Sequence, residues 1–130
     1  MFLSQGKVVE AYTTGSSILN QLGETVPEEE AVTLEMVGGM VLETCGMYAE
    51  VAGDDWFAKK LEDDTLINIL NFSSVMVTAA YFFKPMHMVA YFVCRSVQLS
   101  LRNGVCKHTP IALMQLSFIA IRFDNASFIR

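Results

Sequence analysis

The side chains of this 130-residue chain best suited to metal binding or nucleophilic chemistry are Cys94, Cys106, His87 and His108. A structural zinc site needs four ligands, commonly supplied as two close pairs, and here only Cys106 and His108 stand close in sequence. One loose pair does not make a metal centre, so no metal is expected. A Cys–His pair could in principle act as nucleophile and base, because such partners meet in space and not in sequence. The simpler reading has Cys94 as a small buried apolar side chain and His87 on the wet face of its helix. No catalytic residue is assigned.

Phosphate binding is no better served. A nucleotide loop needs glycines opening a helix so that backbone N–H groups can cradle the phosphates. Gly38-Gly39 falls in mid-helix instead, and neither G-x-G-x-x-G nor G-x-x-x-x-G-K occurs. The acidic clusters Glu28–Glu30, Asp54-Asp55 and Glu62–Asp64 lack the spaced oxygen ligands of a calcium loop. They fit helix starts or a connector, where carboxylates serve the helix dipole and solubility. No cofactor is expected, and the chain is read as not an enzyme.

Fifty-two per cent of the residues are hydrophobic and 18% are charged, so the sequence must bury a core and is not intrinsically disordered. Its length allows one domain at most. Nine basic residues spread along a chain of net charge −5 argue against a nucleic-acid partner. The charge is polarised: residues 1–64 carry thirteen acidic and three basic side chains, net −10, whereas residues 65–130 carry one and six, net +5. This is either a solvated acidic face with ordinary helix-end charges or a docking surface. An odd number of cysteines with no close pair, and no secretory signal in Met1-Phe2-Leu3, point to a reduced cytoplasmic setting.

Hydrophobic spacing predicts five helices and no strand, an all-α chain of antiparallel helix pairs. The first runs over about 6–22, with Val8, Ala11, Tyr12, Gly15, Ile18, Leu19 and Leu22 on its apolar side and Gly23 as its stop. The second is expected over 27–52, opened by Pro27 and three glutamates. Its stripe is Leu34, Val37, Val41, Cys45 and Tyr48, and Gly38, Gly39 and Gly46 suggest a closely packed neighbour. Residues 53–62 form a polar connector with one turn of helix, which Trp56 and Phe57 are expected to pin to the core. Helices over 63–83 and 85–103 are separated by so little that they must fold back as a hairpin.

Along 85–103 a narrow polar stripe of His87, Tyr91, Arg95, Gln98 and Arg102 crosses an otherwise apolar surface, so this helix should be central. The fifth, 109–122, is apolar nearly all round and expects neighbours on both sides. Residues 65–83 contain no charge and are long enough to raise the question of a membrane span. Polar residues at helical spacing (Asn68, Asn71, Ser74, Thr78, Tyr81) favour a mostly buried helix, and no membrane is expected.

The string SQGKVVEAYTTGSSILNQLGETVP resembles the second half of a tetratricopeptide unit, with Gly6 near the inter-helix turn, Ala11 at the small crossing position and Pro27 beyond the end. Val8 and Gly15 stand where large aromatics are usual. The order EAYTTGSSILNQLGETVP, KKLEDDTLINILNFSSVMVTAAYFFKP and RSVQLSLRNGVCKHTPIALMQLSFIAI, over roughly residues 2–121, is similar to the helical stretch behind the ATPase module of large STAND/AAA-type ATPases joined to protein-kinase and sensor histidine-kinase modules. The resemblance implies a short TPR-like α-solenoid fragment, a noncatalytic scaffold in an ATP-binding signalling protein. It carries over no functional residue.

The chain would open partway through a helix pair, and its RFDNASFIR tail would stop where further helices follow, as in a fragment of a larger protein. The partners implied are proteins: neighbouring repeats, kinase or ATPase modules, or another copy. An uncapped array exposes apolar surface, so self-association is expected, relieved by a charge at Phe118 or Ile119. The alternative is a small membrane-associated protein spanning with residues 65–83.

Overall fold

A computed structural model describes residues 5–128, with side chains over 6–122. Residues 1–4, where the resemblance begins, and 129–130 of the tail lie outside the described residues. The elements are α1 (Gln5–Gln21), a 3-10 turn (Glu29–Ala31), α2 (Leu34–Val51), the short α3 (Asp54–Ala58), α4 (Asp64–Phe83), α5 (Met86–Asn103) and α6 (Thr109–Phe128). The all-α architecture agrees with the periodicity, and among the described residues the only β pairing is one isolated bridge between Lys60 and Val105.

α1 ends as its glycine signals. Gly23 takes φ = 97°, its N–H donates to the Asn20 carbonyl at 3.1 Å, and the Glu24 N–H reaches back to the Leu19 carbonyl at 2.9 Å. The apolar side of α1 packs on α4. Gly15 is buried there, and a Cβ at that position would stand 2.7 Å from Met76 Sδ, so the two helices approach over a bare backbone.

The second helix starts later than Pro27 and the glutamates suggest. Val32 and Thr33 are extended, and the Thr33 hydroxyl accepts the Met36 N–H at 3.0 Å, so the α-helix begins at Leu34. The glutamates do not open it because residues 24–32 are tied to the later helices. Glu24 grips Arg95, Glu29 reaches Lys84 at 2.8 Å, and Val32 is buried. Lys84 Nζ also lies 5.1 Å from the ring centroids of both Tyr12 and Phe83, which fixes this corner of the molecule. Leu34, expected in the apolar stripe, is exposed; Thr44 is buried in that helix instead.

The connector contains its turn of helix, α3. Trp56 is buried and its indole N–H donates to the Ser100 carbonyl at 3.0 Å. Phe57 does not share the anchoring: it is half exposed and leans on Trp56, ring centroids 4.9 Å apart. Beside them Val105 N–H donates to the Lys59 carbonyl (2.8 Å) and Leu61 N–H to the Val105 carbonyl (2.9 Å). Gly104 permits that contact, with φ = 124° and a Cβ position only 3.0 Å from Leu61 N and from Lys59 O.

α5 is the central helix, in contact with α4, α2 and α6. Its Met88, Val93, Cys94 and Val97 are essentially inaccessible. α1 lies along α4, and α2 along α5. α6 packs on α5 and α2 through Ala112, Leu116 and Ile119, while Ile111, Met114, Phe118 and Ile121 remain exposed. Two helices thus flank α6, and among the described residues neither covers this exposed face.

Candidate interaction surface

α4 and α6 run in the same direction on two sides of α5. Their first halves come together around Leu70, Ser74, Ile111 and Ala112, where only about 10 Å³ of space is left. Towards their C-terminal ends they part, opening an apolar cleft of about 480 Å³. Met86, Val89 and Val93 of α5 form its floor, Val77 and Tyr81 of α4 one wall, and Phe118, Ile119 and Ile121 of α6 the other, with Gln115 and Arg122 at the lip. Phe118 is 63% exposed and Tyr81 67%. Neighbouring Phe82 adds a further exposed ring, edge-on to Tyr81 at 6.1 Å. Such a contiguous apolar surface marks an interaction site more often than scattered exposed side chains do.

The wall residues explain one correction. Ile119 is 5% exposed and belongs to the α6–α5 interface, so a charge there would damage the core; Phe118 is the exposed member of the pair. Sequence periodicity saw α6 as apolar on every side but had no means of telling which side finds a partner.

The electrostatic frame is one-signed. Between residues 65 and 122 the sequence has five basic and no acidic side chains. α2 has the opposite bias, with Glu35, Glu43 and Glu50 and no basic residue. On its outer face Leu42 is 72% exposed, and a Cβ on Gly39 or Gly46 would meet nothing within 4 Å. The close neighbour that these glycines suggest is not supplied within the described residues.

The candidate chemical residues are dispersed. Cys94 is buried, and burial pushes its thiol up to about 11 despite the hydrogen bond with Thr44. Cys106 and His108 lie in the short loop before α6. The Cys106 N–H donates to the Thr109 hydroxyl at 3.0 Å, which stands 3.0 Å from the Ser100 hydroxyl, so this loop is organised to start a helix. Burial, then Lys107, holds the His108 imidazole below its usual value. His87 is half-buried in the first turn of α5. Among the described residues no three His, Cys, Asp or Glu side chains come together as metal ligands.

One polar pair that spacing alone did not reveal holds the loop after α1 against α5. Arg95 donates from Nε and Nη2 to the two Glu24 oxygens at 2.8 and 2.9 Å, and this bond keeps the guanidinium above its usual pKa. Tyr12 is pushed up to about 12 by burial and by the nearby carboxylates of Glu29 and Glu28. α4 is long and apolar enough to cross a membrane, with 39% of its most apolar stretch buried here. No family model, no curated protein and no solved structure matches this chain.

Proposed function

We propose that this chain is a noncatalytic interaction segment that receives a protein helix in the cleft between α4 and α6. The observation that carries the reading is Phe118 and Ile121, left exposed on α6 beside a cleft floored by α5 core residues, with Ile111 and Met114 exposed on the same helix at spacings of three and four. Alternate long helices lie side by side, α1 with α4 and α2 with α5, which supports a two-row array of the TPR-like kind. The wider setting of the proposal is a cytoplasmic helical region of a large ATPase-type signalling protein, supported by the ordered strings named above.

A photo-crosslinking side chain at position 118, compared with one at the exposed position of Glu62, tests the reading in cells. Polypeptide adducts at 118 and none at 62 are expected. An absence of adducts at 118 overturns the proposal, as do lipid adducts with carbonate-resistant membrane partition, which belong to the alternative in which α4 contacts a bilayer.

A further inference from the structure

We propose that the occupant of the cleft is a second copy of this chain, which inserts the outer face of its α2; the inference rests on the interaction reading and names its partner. Two surfaces on opposite halves of the sequence match in shape and in charge. On α2, Leu42 stands between Gly39 and Gly46, three and four residues away on the same face, as a lone knob with a flat hollow on either side. The cleft is the reciprocal shape: a hollow floored by Val89 and Val93 between the projecting rings of Tyr81 and Phe118. Seating Leu42 in the hollow brings those rings onto the glycines, where no Cβ holds them off.

Charge selects the same pairing. The inserted helix brings Glu35, Glu43 and Glu50, and among the described residues that line the cleft the one charged side chain is Arg122 at the lip. A cleft-to-cleft dimer would instead place like charges together.

Because the two surfaces differ, the contact is head-to-tail: each copy offers one knob and one hollow, and assembly continues until it closes or meets a blocked face. This gives a test that a symmetric dimer fails. The full chain should show a sedimentation mass that grows with concentration. Leu42→Glu and Phe118→Glu, both at exposed sites, should each sediment as monomers with unchanged helical circular dichroism. Mixed in equal amounts they should form a heterodimer of twice the monomer mass, since one copy keeps an intact cleft and the other an intact α2 face. Glu43→Arg should raise the dissociation constant of that heterodimer by tenfold or more, with partial recovery when Arg122→Glu is introduced in the copy that carries the intact cleft.

A wild-type chain that stays monomeric at all concentrations overturns the inference. So does association that Phe118→Glu abolishes and Leu42→Glu leaves intact, or a mixture that stays monomeric. If these results accompany polypeptide adducts at position 118 with other proteins, the interaction reading stands and only the self-partner falls.

Discussion

Gln98 Nε2 donates a 2.9 Å hydrogen bond to the Thr44 hydroxyl in the interior between α5 and α2, and Thr44 in turn donates to the Met40 carbonyl at 2.7 Å. Both side chains are buried, and the Gln98 amide N–H depends on Thr44 for its partner, whereas the Thr44 hydroxyl has the Met40 carbonyl as well. Thr44→Val should cost about 1–3 kcal/mol in chemical denaturation, because it strands the Gln98 amide away from water. Gln98→Met should cost less than that, and the double variant less than the two single costs combined, which a double-mutant cycle measures.

Trp56 combines two contributions that substitution can separate. Trp56→Phe keeps much of the ring burial and loses the N–H bond to the Ser100 carbonyl, for a cost of about 1 kcal/mol. Trp56→Ala also opens a cavity and should cost about 3–5 kcal/mol, read as a lower denaturant midpoint at similar slope.

Gly104→Ala should destabilise by more than the usual exposed-glycine change, since it strains a residue with φ = 124° and drives a Cβ onto the Lys59–Leu61 backbone. Gly39→Ala and Gly46→Ala have the opposite expectation. Each lies in a helix beside open space, so each should raise the monomer's stability by roughly 1 kcal/mol. The same methyl groups should weaken self-association if α2 is the inserted helix. Thermal melts and sedimentation on one pair of variants would therefore move in opposite senses.

The Cys94 thiol ionises near pH 11 in the folded chain, against an ordinary value of 9.0. The folded state thus holds this proton more tightly than the unfolded one. Its contribution is complete below pH 9 and is lost as pH rises from 9 to about 11, on the order of 2 kcal/mol. Denaturation at pH 8, 9.5 and 11 should show that decline, and Cys94→Ala should remove the part that sets in from pH 9, leaving the loss that Tyr12, raised from 10.0 to about 12, adds above pH 10. In thiol labelling at pH 8, Cys106 should react ahead of Cys94, which waits for unfolding.

A charge on α6 separates its two faces. Phe118→Lys should leave the melting temperature nearly unchanged, whereas Ile119→Lys should cost at least about 3 kcal/mol or prevent folding, since it buries an unpaired ammonium against α5. Circular dichroism melts check both.

Much of the helical framework was legible because spacing and punctuation agreed. Val8, Gly15 and Leu19 are all buried, and Gly23 and Gly104 take the positive φ that their places after helix ends imply. Misplacement came where local signals competed with distant ones. Pro27 and three glutamates spell a helix start, yet the cations of Arg95 and Lys84, some seventy and fifty-five residues downstream, hold that segment and leave Thr33 to cap α2. Gln98 read as a wet-face residue by its spacing with Arg95 and Arg102, and only the three-dimensional approach of Thr44 turns it inward. The cleft was invisible for a related reason: composition shows that α6 is apolar, but the divergence of α4 and α6 decides which residues stay uncovered.

The order of packing along the chain bears on how it is made. α1 leans on α4 and α2 leans on α5, so a ribosome from which this segment has emerged only as far as residue 60 has delivered two helices whose partners are not yet outside it. Val8, Leu19, Val37 and Val41 must wait in solution until the α4–α5 hairpin emerges. The nascent polypeptide passes through an interval in which it is oily, acidic and without a template, the condition under which exposed apolar surface is prone to aggregate.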